Sequence, residues 1–235
     1  MRYACILTSL TLLISTSCKK ESVAISTQNP INNSIPCPDS LNDIDGNNYR
    51  VLNLYGQCWL KENLKTSHYQ NGDSIAEIQN DNEWASLTSG AFSKYQNNSL
   101  NDSIYGKLYN GFSVSDPRNV CPAGWHVSTD ADWGNLIDSL GGEGIAGGLL
   151  KSTELWAMPN TGASNSVEFT ALPGGMRDAD HGGFFSNAIN SGYWWSASSE
   201  NAPAAFVRYI NYPNVNVNRY SYGKKNGFSV RCVRD

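Results

Sequence analysis

Thr129-Asp-Ala-Asp-Trp-Gly-Asn-Leu-Ile-Asp-Ser-Leu-Gly-Gly142 carries the clearest local instruction in the chain. Thr129 and Asp132 stand three apart, the spacing at which a hydroxyl and a carboxylate cap a helix N-terminus reciprocally. Trp133, Leu136, Ile137 and Leu140 then recur at three- and four-residue intervals, which puts them on one helical face. Gly141-Gly142 ends the run, since glycine readily takes the left-handed backbone of a helix stop. The sequence therefore predicts a helix over 129–140, with another turn or two at 146–151 carrying Leu149 and Leu150.

Outward from this helix the text changes character. Upstream, Asp45-Gly46 is a turn signal, followed by Tyr49, Val51 and Leu54 and then by Gln57-Cys-Trp-Leu60 in extended apolar text. The Asp43–Asn47 stretch invites comparison with a calcium loop, but Asn48 and Leu54 stand where an EF-hand needs Gly and Glu, so a hairpin turn is expected. Residues 82–95 are expected to form a short helix and then a loop. Downstream of Trp156, Gly, Asn and Ser dominate, with aromatic bursts at 167–169, 183–185, 193–195, 205–209 and 228–231. These are expected to be short strands joined by long loops. Helices early and strands late imply an α+β domain with antiparallel sheet, one main helix and long loops.

The N-terminus speaks to compartment. Arg2 precedes an apolar stretch of eleven residues, Ala4 to Ile14, too short for a bilayer core that needs about 20 but suited to a signal-peptide core. Ser15-Thr-Ser-Cys18 resembles a lipobox, with Ser15 in place of its usual Leu, and Lys19-Lys-Glu21 resembles the charged cluster that follows the lipid cysteine in Bacteroidetes-type lipoproteins. The expected organisation is a signal peptide at 1–17, a lipid-bearing tether at 18–36 beginning with Cys18, and one globular domain at 37–235. An ordinary secretory signal with an incidental cysteine is the alternative. Acylation would hold the chain on a membrane, in the cell envelope, at the outer membrane and exposed on its surface.

Composition narrows the partners. A formal net charge of −4 and no Lys/Arg cluster of the phosphate-gripping kind argue against nucleic acid. Cys37, Cys58, Cys121 and Cys232 remain after Cys5 and Cys18, and four cysteines in an oxidising space allow three pairings. With no CxxC and three histidines, a structural zinc site is not expected.

Six phrases in order carry a family resemblance: Gly56-Gln-Cys-Trp-Leu-Lys-Glu-Asn-Leu64, Tyr105-Gly-Lys-Leu-Tyr-Asn110, Cys121-Pro-Ala-Gly-Trp-His126, Ala171-Leu-Pro-Gly-Gly-Met-Arg177, Tyr193-Trp-Trp-Ser196 and Gly227-Phe-Ser-Val-Arg-Cys-Val-Arg-Asp235. Together they resemble the Fibrobacter succinogenes major paralogous domain, found on bacterial lipoproteins, over roughly residues 40–235. That family looks related to the C-type-lectin-like fold, including the version in formylglycine-generating enzymes. In such a fold the start of the main helix and the last strand lie close. The resemblance thus implies a Cys121–Cys232 disulfide, leaving Cys37–Cys58 to staple the entrance hairpin; one bond with two free thiols is the alternative. The formylglycine chemistry uses a late cysteine pair, and this chain has Cys232 alone there, so that chemistry is not expected to carry over.

The expected function is a non-catalytic binding domain for glycan or protein. Tyr209, Tyr212, Tyr220 and Tyr222 alternate with Asn and Arg in what reads as loop text, and with Tyr193 and Arg177 they are the candidate ligand-binding residues: flat apolar faces beside hydrogen-bonding edges. Trp194 and Trp195 are expected to fill the core, at least one of them. No cofactor is expected. Calcium is a candidate through Asp178, Asp180 and Glu200, against a plain solvated turn. His126 is expected to cap or pack. A structural or adhesive envelope role, and an enzyme with an unrecognised site, are the alternatives.

Overall fold

The structure, a computed structural model, describes residues 36–235. Residues 1–35, on which the expected signal peptide (1–17), Cys18 and all of the expected tether (18–36) but Pro36 fall, lie outside the described residues. The elements run β1 (Ser40–Asn42), β2 (Asn48–Leu54), β3 (Gln57–Leu60), β4 (Ala76–Glu77), α1 (Asp81–Ser86), β5 (Ala91–Lys94), α2 (Ser99–Tyr105), β6 (Lys107–Asn110), α3 (Gly111–Val114) and β7 (Trp125–Val127). Next come α4 (Asp130–Ser139), α5 (Glu143–Leu150), β8 (Met176–Asp178), β9 (Phe184–Ser186), β10 (Ser191–Asn201), β11 (Ala204–Asn211), β12 (Val217–Gly223), β13 (Gly227–Phe228) and β14 (Cys232–Arg234). The class is α+β, mostly sheet.

The strands make three sheets, in the orders β1-β2-β3-β14-β7, β4-β5-β6-β13-β8-β9 and β10-β11-β12. Pairing is antiparallel except between β4 and β5. The terminal phrase threads all three. Gly227 and Phe228 pair with β6, Ser229 bridges to Trp194 of β10, and Cys232–Arg234 lie between β3 and β7.

Local chemistry explains the turns. Asp43 accepts from the backbone N–H groups of Asp45 and Asn47, from Asn47 Nδ2 and from the Tyr49 hydroxyl, so a carboxylate closes the β1–β2 hairpin. Tyr55 and Gly56 both have positive φ (54° and 87°), the conformation of a two-residue primed turn between β2 and β3. On α4 both arms of the Thr129–Asp132 capping box are present. Its C-terminus closes through Gly142 N–H to Ile137 O and Gly141 N–H to Asp138 O, a Schellman arrangement that both glycines permit with φ near 95–99°.

Strand β10 divides the interior. Successive side chains on a strand point to opposite faces, so Tyr193 and Trp195 enter one core with Tyr49, Tyr109, Trp125 and Phe228, while Trp194 enters another with Trp59, Trp133, Leu136, Leu150 and Phe169. Trp194 and Trp195 are both fully buried. The disulfides are Cys37–Cys58 and Cys121–Cys232.

Several expectations need correction. The further helical turns expected at 146–151 are α5, which starts earlier, at Glu143, and runs to Leu150. Residues 91–94 are strand β5, where a loop was expected. Val167–Phe169 is irregular, because Glu168 and Thr170 take left-handed backbone (φ 58° and 53°) that no strand accommodates. Residues 229–231 likewise lie outside strands, apart from the Ser229 bridge.

Candidate ligand-binding surface

Tyr193 and Tyr209 lie in strands β10 and β11, as their aromatic bursts imply, whereas Tyr220 and Tyr222, in text that reads as loop, lie in strand β12. In β10-β11-β12 the register sets Tyr193 opposite Tyr209, Val207 opposite Tyr220 and Ala205 opposite Tyr222, which puts all four tyrosines on one sheet face. They form a continuous ring set with Phe228. Tyr193 stacks on Tyr209 at 5.5 Å between centroids and on Phe228 at 5.3 Å; Tyr209 meets Tyr220 at 5.8 Å; Tyr222 meets Phe228 at 5.1 Å and Tyr220 at 6.4 Å. Burial grades across the set. Tyr193 is buried, Tyr209 and Tyr222 are half-buried, and Tyr220 is 59% exposed on the terminal strand of its sheet.

Burial, and then the neighbouring phenols, push Tyr222 up to about 12 and Tyr209 upward. These hydroxyls therefore stay protonated at neutral pH, able to donate and to accept. The opposite sheet face carries charge. Arg208 and Arg219 both bond Asp130, Arg208 also reaches Glu143, and Arg219 lies over the Phe206 ring at 3.6 Å.

The other candidates lie elsewhere. Tyr212 packs against the second core, apart from the ring set. Arg177 is 0% exposed and donates to the carbonyls of Gly183, Ile78 and Gln79 and to Asp81, so it ties β8 to the segment before α1 and offers nothing to a surface ligand. Asp178 accepts from the N–H groups of Asp180 and His181 and from the His181 ring, and Asp180 accepts from Asn226. Glu200 sits on the exposed C-terminal end of β10. Among the described residues no group of three or more His, Cys, Asp or Glu could hold a metal ion; of the calcium candidates, Asp178 holds the β8–β9 loop and Asp180 takes the Asn226 amide.

Two features had no sequence signal. His68 Nδ1 lies 2.5 Å from Asp45, whose carboxylate also accepts from Ser67 and Thr66. Burial raises Asp45, but the Ser67 and His68 hydrogen bonds outweigh it and bring it to about 2. His68 lines a recess of about 260 Å³ with Asp43, Thr66, Gln70 and Pro122. Separately, buried Asn63 joins four of the six phrases. Its Oδ1 accepts from Trp194 Nε1 and Arg231 Nε, and its Nδ2 donates to Tyr105 O and Ser229 Oγ.

His126 holds Asp132 and Asp235 at once, at 3.1 Å and 2.6 Å. With Asn63, Arg177 and His126 accounted for, the phrases that carried the resemblance mainly build scaffold. A family model described as the Fibrobacter succinogenes major domain matches residues 53–234, more than half of the chain. No curated protein and no solved structure matches the chain.

Proposed function

Because the chain belongs to the Fibrobacter succinogenes major domain family, whose description names no ligand and no reaction, we propose that it is an exported lipoprotein displaying a non-catalytic binding domain for a glycan or protein. The observation that carries this reading is the tyrosine ledge. Tyr220 is 59% exposed above rings that are themselves held by packing, so its face is offered in a fixed orientation. Rigid aromatic side chains give contact area at small entropic cost, and protonated phenols add polar edges suited to hydroxyls or peptide groups.

The apolar stretch before Cys18 supports export and acylation, and two disulfides fit an oxidising compartment. We place the protein in the cell envelope, at the outer membrane and facing outward. The finer fold reading is C-type-lectin-like. A disulfide from just before α4 to the last strand, and the approach of Arg234 to the Pro36 carbonyl at 2.9 Å, support it. No cofactor enters the proposal.

The test uses the full chain in detergent micelles on a glycan array and in polysaccharide pull-downs. Wild type is retained; Tyr220→Ala weakens binding roughly tenfold or more, the loss of one good contact, while thermal unfolding stays unchanged. Absence of any retained ligand, with concentration-dependent sedimentation that Tyr220→Ala removes, would replace the reading by self-association through the β12 edge.

One observation favours a second reading. The Asp45–His68 pair at a recess has the orienter–base form of acid–base catalysis. Hydrolysis of a tethered glycan or peptide that disappears in His68→Ala would make it the better account.

A further inference from the structure

Arg231 is fully buried and, among the described residues, pairs with no carboxylate. Its Nε donates to Asn63 Oδ1 at 2.7 Å, Nη1 to the carbonyls of Leu60 and Phe169, and Nη2 to the carbonyl of Thr170 at 3.2 Å. A guanidinium has five N–H donors, and these bonds engage four, leaving one on Nη2. The ring of Phe169 lies 4.3 Å from the guanidinium carbon. Partial charges on carbonyls satisfy donors, but they do not neutralise a cation taken out of water.

The surroundings add to the charge. Arg231 lines a recess of about 160 Å³ together with Arg50, Lys61, Glu62, Lys65, Thr170 and others. That lining holds four cations and one carboxylate, in a chain whose net charge is −4. The carboxylate is already committed: Glu62 accepts from both the backbone N–H and Nε of Arg50, at 2.9 and 2.8 Å. Lys65 Nζ reaches only the Ser103 carbonyl among its hydrogen bonds to described residues, and Lys61 pairs with the largely exposed Glu168.

The backbone beside the recess is unusual. Asn165, Glu168 and Thr170 all have φ between 48° and 58°, and for β-branched Thr170 this region is a real outlier. Asn165 holds it there, accepting the Thr170 N–H at 2.7 Å and donating to its hydroxyl at 3.1 Å. The result is that the Phe169 and Thr170 carbonyls both point at Arg231. Strained backbone of this kind persists where surrounding structure fixes it, often at binding sites.

We propose that this recess binds a small oxyanion, a sulfate or phosphate group, with Arg231 at its floor and Lys61 and Lys65 at its rim. One remaining Nη2 hydrogen cannot make the planar two-bond fork that favours carboxylates. Recognition is therefore by charge, and a dianion binds more tightly than acetate.

The experiment follows the Arg231 Nε–Hε cross-peak by NMR in the full chain in detergent. Sodium sulfate, sodium phosphate, sodium acetate and a sulfated disaccharide are titrated against sodium chloride at matched ionic strength. Sulfate and phosphate are expected to move the resonance saturably, acetate more weakly, and chloride not at all. Lys61→Gln/Lys65→Gln, at partly exposed positions that leave Arg231 in place, should weaken the dianions roughly tenfold or more, as expected for lost charge-assisted contacts. Competition by the disaccharide puts the anion on a sugar; binding of inorganic dianions without that competition makes it a free-anion site. No saturable shift, equal shifts with chloride, or unaltered affinity in the double variant overturns the proposal. Tyr220→Ala leaves these titrations unchanged, so this site and the tyrosine ledge stand or fall separately.

Discussion

Asn63 shows how much one buried amide can hold. All of its hydrogen-bonding directions lead to segments far apart in sequence: α2's C-terminal Tyr105, Trp194 on β10, and Ser229 and Arg231 in the terminal phrase. Truncation to alanine would leave an indole N–H and a guanidinium N–H buried without acceptors, each costing about 1–3 kcal/mol. Asn63→Ala should therefore destabilise the protein by roughly 3–5 kcal/mol, read as a fall in the urea midpoint. A loss below about 1 kcal/mol, the size of an ordinary surface change, would mean that water or another group takes over these donors. Nothing in the sequence near residue 63 announces this role. Asn63 and Arg231 stand 168 positions apart, and an asparagine among charged residues reads as surface until its partners are known.

At the scale of elements, what could be read was local. Helix α4 follows from Thr129, Asp132 and Gly141-Gly142 because a cap and a stop are made by residues adjacent in the chain. Strand β12 reads as loop because Asn216 and Asn218, poor strand formers, flank its start; Tyr220 and Tyr222, either side of Ser221, are the period-2 signal that puts both rings on one face. What the sequence could not display is how His126 of β7 reaches the α4 cap. Its ring meets Asp132, which raises the imidazole pKa; burial opposes this and Asp235 adds to it. Burial acts to raise Asp132, yet His126 and Thr129 outweigh it and hold it at about 2. The signs follow from linkage. The His126 contribution is complete below its unfolded value of 6.5 and disappears as pH rises through the higher folded value. The Asp132 contribution is complete above 3.8 and disappears as pH falls toward 2. Stability from this junction should thus peak between about pH 4 and 6.5. Urea unfolding across pH 4 to 9 checks it: His126→Ala should flatten the decline above 6.5, and an identical decline in the variant would remove His126 from the account.

At the scale of the whole molecule, the two disulfides constrain very different lengths of chain. Cys37–Cys58 spans a sequence separation of 21 and ties the entrance of the domain to β3, whereas Cys121–Cys232 spans 111 and ties the segment before α4 to β14. In the chain-entropy model the first stabilises by about 3 kcal/mol and the second by about 4.7, with the difference growing as the logarithm of loop length. Packing acts in the same direction. Cys121 and Cys232 are 1% and 0% exposed, within the first core, while Cys37 is only partly buried at its edge. Replacing both members of the longer bridge by serine would also put two hydroxyls into that core beside β14, the strand that joins β3 to β7. Cys121→Ser/Cys232→Ser should therefore lose at least about 1.5 kcal/mol more than Cys37→Ser/Cys58→Ser, measured by chemical unfolding without reductant. If the shorter bridge proved the more costly to remove, the stability of the domain would depend on its entrance hairpin, and the central place given to the terminal strand would be wrong.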